Sequence, residues 1–305
     1  MTRNVPFWFA AGVLVPLLCL SVSSPGVLAA AEARTRTIYI TAMDGKGGQV
    51  TDLTVADFTV KEGGKEREVV KAEMATAPLQ VAIIVDDNGS GLFRVGVANF
   101  INQLLGHGEF AVSTVTGQTM KIVDYTKDVA ALKGAIDRLV ARPGTPDGGQ
   151  LLEGISETAM ELQKRKAERP VIIALTVGGE EHSTMTAHQV LNQLRDSRAS
   201  LHVISVATSA IRSTVASDKP SDALEGSLNI SEVLGDGPKQ SGGRRDEIVA
   251  SAGIVQGLQK IADDLLHQYA VSYTLPDGVK PDERLNVSTK RKGVTLRAPS
   301  RIPDK

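Results

Sequence analysis

The fold class is indicated by the stretch Gln80-Val81-Ala82-Ile83-Ile84-Val85-Asp86-Asp87-Asn88-Gly89-Ser90. In it, a continuous apolar run passes directly into acidic and small polar residues. An apolar run of this length favours a β-strand that is covered on both faces, as in parallel sheets. The polar residues follow where that strand would end. In open α/β sheets, ligands bind at this carboxyl edge. The stretch therefore predicts a buried strand that leads into a candidate binding loop.

Helix and strand patterns alternate downstream of this run. Residues 92–105 place Phe93, Val97 and Phe100 on one helical face. Further strands are predicted at 110–115, 120–125, 171–175 and 201–206, and further helices between them and after them. This alternation indicates an α/β domain over residues 78–267, with an open, mostly parallel sheet and helices on both faces. Residues 209–246 are rich in Ser, Gly, Asp and Pro, and they predict a long loop within that domain.

The two ends of this domain carry shorter β patterns. Residues 34–77 alternate apolar and polar positions around Gly-rich turns, and they predict an N-terminal β segment. Residues 268–305 predict a C-terminal β tail. Neither segment is large enough to bury a core by itself. We therefore expect residues 36–74 and 268–298 to pack together as one small β module.

Residues 1–31 have the order of regions found in a secretory signal peptide. Arg3 precedes an apolar stretch from Val5 to Val22, and small residues follow at Ala29–Ala31. The alternative is a retained membrane anchor, since the apolar stretch approaches the length that spans a bilayer. We expect cleavage, export to the periplasm or the extracellular space, and no membrane span in the mature chain.

Composition excludes several classes of protein. The 305 residues contain 34 Lys and Arg against 35 Asp and Glu, so the net charge of −1 gives no reason to expect a nucleic-acid partner. Cys19 is the single cysteine, which excludes an intramolecular disulfide and a Cys-based zinc site. Hydrophobic residues make up 42% of the chain, a fraction typical of a globular protein.

Five features in a fixed order carry a family resemblance. They are the opening strand with Leu53–Phe58, the Asp-x-x-x-Ser loop at Asp86, the Gly-Thr pair at Gly144, the apolar strand ending in Thr-x-Gly at Thr176, and the Gln-Tyr-x-x-x-Tyr strand at Gln268. With the β segments at both ends, this layout resembles a von Willebrand factor type A (VWA) domain of the secreted bacterial kind. The resemblance spans nearly the whole mature chain, and its specificity comes from the order of short motifs.

The resemblance implies a metal-ion-dependent adhesion site, in which Asp-x-Ser-x-Ser, a Thr and a second Asp hold Mg²⁺. Carried over position by position, Asp86 matches the first Asp, Ser90 the last Ser and Thr145 the Thr. Asn88 stands where the family has its first Ser, and its amide oxygen is still a possible ligand. Val177 stands where the family has its second Asp, and it offers no oxygen.

The loss of one carboxylate predicts a degenerate site that binds Mg²⁺ weakly. Asp87, Asp147 and Glu180 are candidates to compensate for the missing charge, and they are candidate binding residues at the sheet edge. The alternative interpretation is that Asp86 and its neighbours only cap helices and hold turns, as these residue types commonly do.

The resemblance favours a protein-binding module over an enzyme, with a protein as partner. Two alternatives stay open. One is a metal-dependent envelope hydrolase, which needs a cluster of ionisable groups with shifted pKa values in one cleft. The other is a structural envelope protein whose ion site has decayed. All three depend on one geometric expectation, that the turns beginning at Asp86, Gly144 and Thr176 converge on one edge of a shared sheet.

Overall fold

The computed structural model describes residues 1–2, 34–141, 149–206 and 221–304. The expected signal peptide lies outside the described residues apart from its first two positions, and so do Thr145 and Asp147. The chain divides into two units, Met1–Glu32 and Ala33–Lys305. The second unit contains every helix and strand described below.

The bounds of the elements follow chain order. The strands are β1 (Arg34–Asp44), β2 (Phe58–Glu62), β3 (Lys65–Arg67), β4 (Val69–Met74), β5 (Leu79–Asp86), β6 (Gly108–Thr116), β7 (Gln118–Thr126), β8 (Arg169–Thr176), β9 (Ser200–Val206), β10 (Arg245–Ile248), β11 (Tyr269–Leu275), β12 (Leu285–Thr289) and β13 (Val294–Arg297). The helices are α1 (Arg94–Leu104), α2 (Val129–Asp137), α3 (Leu151–Lys164), α4 (Ala187–Ser197), α5 (Ser221–Ser241) and α6 (Ala252–Leu266).

A six-stranded sheet forms the centre of the α/β domain, with the order β10-β9-β8-β5-β6-β7. The pairs β10–β9, β9–β8, β8–β5 and β5–β6 are parallel, and only the edge strand β7 is antiparallel to its neighbour. This arrangement confirms the expected open, mostly parallel sheet. The run Val81–Val85 is its buried β5 strand.

The two faces of the sheet are covered by different helices, as the uninterrupted apolar strands predict. On β8, Val171 and Ile173 face a core shared with α1, α2 and α6, whereas Ile172 and Ala174 face a core shared with α3, α4 and α5. Full burial of one such aliphatic side chain contributes about 1.5–3 kcal/mol. A strand that packs on both sides therefore gains stability at every position.

The two terminal segments form the expected β module. β1 pairs with both β11 and β13, β11 pairs with β4, and β12 pairs with β2, all antiparallel. The resulting sheets have the orders β13-β1-β11-β4 and β12-β2-β3. They share one core, in which the rings of Phe58 and Tyr269 meet edge to face at 5.5 Å. The Tyr269 hydroxyl donates to the Val50 carbonyl and accepts from the Leu53 amide.

The prediction of a long loop at 209–246 is wrong for the described part of that range. Helix α5 occupies Ser221–Ser241 and β10 begins at Arg245. The Gly residues of α5 have a low intrinsic propensity to form a helix, but tertiary packing can override this propensity. A Cβ at Gly226 would lie 2.3 Å from the Glu181 carbonyl oxygen, and one at Gly237 would lie 2.8 Å from Leu201 Cδ2. Glycine therefore allows this helix to approach the domain closely. Residues 207–220 lie outside the described residues.

Candidate functional site

Asp86 and Thr176 join two loops at the carboxyl edge of the sheet. They are register partners at the ends of the neighbouring parallel strands β5 and β8. The Thr176 hydroxyl donates to Asp86 Oδ2 at 2.7 Å and accepts from the Gly178 amide at 2.8 Å. The Val177 amide donates to the Asp86 carbonyl oxygen at 3.0 Å. The expected convergence of the turns at Asp86 and Thr176 is confirmed.

The entry to α3 lies beside the same two loops. The Gly149 amide donates to the Glu180 carbonyl oxygen at 3.0 Å, and the His182 amide donates to the Gly149 carbonyl oxygen at 2.9 Å. A Cβ at Gly149 would lie 2.7 Å from Val115 Cγ1 and 3.5 Å from Asp86 Oδ1. Glycine is therefore required for this close approach. The turn expected from Gly144 falls within residues 142–148, which lie outside the described residues.

The loop after β5 is shaped by Asp87. Its buried carboxylate accepts from the Gly89 amide at 3.0 Å and from the Gly91 amide at 2.7 Å. This pattern uses both oxygens of Asp87 to hold its own turn, so the carboxylate is not presented at the surface. Asn88 is exposed and takes a φ of +47°, a conformation that Asn tolerates better than most residues. The exposed Ser90 accepts from the Leu92 amide at 3.3 Å.

Two carboxyl groups in this region are held in their protonated form to unusually high pH. Burial raises the pKa of Asp86 to about 6, against the opposing effect of the Thr176 hydrogen bond. Burial also raises the pKa of Glu181 to about 8, and the nearby Asp86 raises it further, while the Leu152 amide opposes the change. Within the part of the chain that the structure describes, neither carboxyl group has a cationic partner.

Glu181 caps the first turn of α3. Its two carboxylate oxygens accept from the amides of Leu151 and Leu152, each at 3.3 Å. The first amides of a helix have no partner within the helix, so the carboxyl oxygens of Glu181 supply acceptors that the helix itself lacks. Sequence reasoning missed this residue and chose Glu180, which is exposed, with Oε2 3.9 Å from His182 Nε2. The pair Glu180-Glu181 was visible in the sequence, but the helix that Glu181 caps lies 30 residues earlier.

The described residues do not fit a site that holds Mg²⁺ tightly. Asp86 and Thr176 bring one carboxylate and one hydroxyl together, but Asp87 is occupied by its own loop. Val177 packs against the core and supplies no side-chain oxygen. Over residues 34–141, 149–206 and 221–304, no group of three or more His, Cys, Asp or Glu side chains is placed to hold a metal ion. A hard cation needs several oxygen ligands in near-octahedral geometry.

The exposed residues of the two loops form what we call the loop edge, defined by Asn88, Ser90, Glu180 and His182. The β8 loop is fixed behind them by Glu153 of α3, whose carboxylate accepts from the Ser183 hydroxyl and from the Thr184 amide. The loop edge is therefore a surface built from polar side chains on a backbone held by internal hydrogen bonds.

Several solved structures are similar to this chain. A von Willebrand factor type A protein from Catenulispora acidiphila is 12% identical with a TM-score of 0.43, over 90% of this chain and 76% of that chain. Proximal thread matrix protein 1 from the mussel byssus, with a zinc-occupied metal-ion-dependent adhesion site, is 14% identical with a TM-score of 0.47, over 67% of this chain and 50% of that chain. The von Willebrand factor domain of the type V pili tip protein Mfa5 from Porphyromonas gingivalis is 12% identical with a TM-score of 0.42, over 62% of this chain and 95% of that chain.

These similarities concern the fold alone, and at such identities and scores they carry no argument about ligands. No protein-family model matches the chain, and no curated protein matches it. The strand order and pairing of the chain itself confirm the expected open, mostly parallel sheet with helices on both faces.

Proposed function

We propose that this chain is an exported protein-binding module of the VWA type, which recognises a protein partner through its loop edge without a tightly held divalent cation. The observation that carries the proposal is the bond between Thr176 and Asp86, which fixes two loops side by side with Asn88 and Ser90 exposed. A preorganised polar surface loses little conformational entropy when a partner binds.

Partner binding without a tightly held cation is inferred from the few side-chain oxygens that are available as metal ligands. Val177 stands where an acidic ligand is expected. The carboxylate of Asp87 already accepts hydrogen bonds from the Gly89 and Gly91 amides. Among the described candidates at this edge, Asp86 has a pKa of about 6, so it is mostly ionised at neutral pH and carries a single charge; Thr145 and Asp147 lie outside the described residues. Weak Mg²⁺ binding at Asp86 stays a prediction, and partner recognition is proposed to rest on shape and hydrogen bonds.

A non-enzymatic role agrees with the surroundings of the two perturbed carboxyl groups. Glu181 is buried and faces the first amides of α3, so its shifted pKa has a structural cause. Perturbed pKa values mark candidate catalytic groups only when they line an accessible cleft, because structural networks also perturb them. We therefore favour the binding module over the metal-dependent hydrolase and over the structural envelope protein.

The proposal is tested by affinity capture from the native envelope fraction with the full chain as bait. Ser90→Arg places a bulky charged side chain on the loop edge, and Ser288→Arg makes the same change at an exposed position of β12. We expect Ser90→Arg to abolish capture of a partner that Ser288→Arg and the unchanged chain retain, with and without EDTA. Equal capture by both variants contradicts recognition at the loop edge, and loss of capture in EDTA contradicts the cation-independent role.

Export is proposed from the sequence of residues 1–31 alone. None of the described helices is long and apolar enough to cross a membrane. We expect the intact mass of the protein from its native source to correspond to cleavage near Ala31. A mass that includes the first 31 residues supports the retained anchor instead.

A further inference from the structure

A cavity of about 80 Å³ lies where the β module meets the α/β domain. Arg36 and Tyr39 of β1 line it from one side, and Arg169 at the start of β8 and Arg198 at the end of α4 line it from the other. These strand and helix ends lie opposite the carboxyl edge that carries Asp86. The cavity is therefore distinct from the loop edge.

Arg169 is a buried cation with neutral partners. Its side chain is 5% exposed and donates to Gln268 Oε1 at 2.9 Å from Nη2 and at 3.2 Å from Nε, and to the Leu265 carbonyl oxygen. The guanidinium carbon lies 5.3 Å from the centre of the Tyr39 ring. No carboxylate of the described residues pairs with it. Buried charges are normally paired, because the loss of water around them is costly.

Burial lowers the pKa of Arg169 to about 10, against an ordinary value of 12.5. The direction of this shift means that the guanidinium loses more from the absence of water than it gains from its neighbours. A negative charge placed against Arg169 would reverse the shift. The cavity thus holds a cation whose surroundings leave its charge uncompensated.

Arg198 is a second cation without a partner. It ends α4 in the left-handed conformation, with a φ of +60°, and its guanidinium makes no hydrogen bond or ion pair to the described residues. Loss of water and the nearby charge of Arg36 lower its pKa. Arg36 itself is paired with the buried Glu62 at 2.7 Å, so it does not compete for an incoming anion.

The other charges around the cavity are nearly balanced. Arg195 and Arg301 share the carboxylate of Glu283, and Arg195 also contacts Asp196 at 2.9 Å. Glu168 and Arg198 both line the cavity from exposed positions, so water screens both charges. Arg169 therefore remains as the buried cation that a bound anion can neutralise, and Arg198 is a second, exposed cation of the lining without an ion-pair partner among the described residues.

Apolar side chains form much of the remaining wall, from both sides of the junction. They are Ile38, Val171, Leu191, Leu194 and Ile302. A water molecule needs roughly 10–15 Å³ of such space, so the volume accommodates a ligand of several non-hydrogen atoms. Sites for small molecules typically combine an apolar lining with a few placed polar groups.

We propose that this cavity binds a small organic anion, in which a carboxylate contacts Arg169 and Arg198 and a short apolar chain lies against Leu191 and Ile302. The carboxylate accepts from the two guanidinium groups, which supply planar arrays of N–H donors suited to it. The apolar chain distinguishes this ligand from inorganic phosphate and from water.

The test uses hexanoate as probe, with the full chain and isothermal titration at neutral pH and about 0.15 M salt. We expect a saturable exothermic binding event that 1-hexanol does not reproduce, because hexanol lacks the charge. Inorganic phosphate is expected to compete at least about tenfold more weakly than hexanoate. Equal binding of hexanol and hexanoate overturns the anion site, and equal competition by phosphate overturns the role of the apolar wall.

Two variants assign the site. Arg198→Ala removes a guanidinium that has no partner to lose, and Arg94→Ala removes an exposed one on α1, outside the cavity. We expect Arg198→Ala to weaken hexanoate at least about tenfold and Arg94→Ala to change it less than about twofold. Arg169→Met is expected to abolish binding while the fold is retained by circular dichroism. No heat with hexanoate up to about 10 mM, or equal affinity of the Arg198 and Arg94 variants, overturns the proposal.

Discussion

The Thr176 hydroxyl donates to Asp86 Oδ2 across 2.7 Å, and these two residues are register partners at the carboxyl ends of adjacent parallel strands. Because Thr176 also accepts from the Gly178 amide, a single hydroxyl holds the last residue of β5 and the start of the β8 loop together. The position of the loop edge therefore depends on this side chain.

Thr176→Val keeps the shape of the side chain and removes its hydroxyl. The change leaves the partly buried Asp86 carboxyl and the Gly178 amide without their partner, which costs about 1–3 kcal/mol. We expect the free energy of unfolding in urea to fall by that amount. Thr295→Val, at an exposed position of β13, is the matched control and should have little effect. Equal losses in the two variants contradict the bridging role of Thr176.

Glu181 makes the protein less stable as pH rises. Its folded pKa of about 8 lies above its ordinary value of 4.5, so the folded state binds more protons between these values. The stability from the protonated form is complete below pH 4.5 and is lost as pH rises through 8, by about 5 kcal/mol at most. We expect Glu181→Gln to remove this part of the pH dependence in urea unfolding.

The control for this change is Glu157→Gln, at an exposed position of the same helix. It should leave the pH dependence unchanged. If Glu181→Gln and the unchanged chain lose stability in parallel between pH 5 and about 8, burial of Glu181 does not govern the trend.

His202 makes the protein less stable as pH falls, which is the opposite of the effect of Glu181. It is fully buried, neither ring nitrogen has a hydrogen-bond partner among the described residues, and burial lowers its pKa to about 3. The unfolded chain takes up a proton below its ordinary pKa of 6.5 and the folded chain does not. Stability is therefore present above pH 6.5 and is lost as pH falls towards 3, by about 2 kcal/mol at pH 5.

His202→Leu should remove this loss, whereas His188→Leu at an exposed position of α4 should not. The measurement is the midpoint of urea unfolding at pH 7 and about pH 5 for each variant. A pH dependence that survives in the His202 variant refutes the assignment.

Val177 explains why Mg²⁺ is expected to bind weakly. We expect calorimetric titration of the unchanged chain to give a dissociation constant above about 1 mM. Val177→Asp introduces a carboxylate at the position where the family resemblance expects a second Asp, next in the chain to Thr176, so it should tighten Mg²⁺ binding at least about tenfold, because opposite charge dominates the binding of hard cations. Val177→Asn has a similar size without the charge, and it should not. Micromolar affinity in the unchanged chain contradicts the degenerate site.

The sequence allowed the central sheet and the loop after β5 to be predicted, because the run Val81–Val85 and the polar residues after it are a local signal. It also indicated the β module, since Gln268–Tyr273 alternates in the way a half-buried strand does. Helix α5 was missed because its Gly residues are unfavourable locally and acquire their role only against Glu181 and Leu201.

Partners that meet only in the folded chain were missed for the same reason. Glu181 caps a helix 30 residues earlier, and Arg169 lies in a cavity with Arg198 and with Arg36 of the β module. Contacts between residues so far apart in the chain leave no periodic pattern. They follow from the tertiary packing.

Recognition of a protein partner at the loop edge is tested most directly by site-specific photocrosslinking of the full chain in its native envelope. A photoreactive residue at Ser90 probes the loop edge, and one at Ser288 probes an exposed strand of the β module. We expect a discrete protein adduct from position 90, unchanged by EDTA, and none from position 288. An adduct from position 288 alone, or one from position 90 that disappears in EDTA, contradicts recognition by a loop edge that needs no tightly held cation.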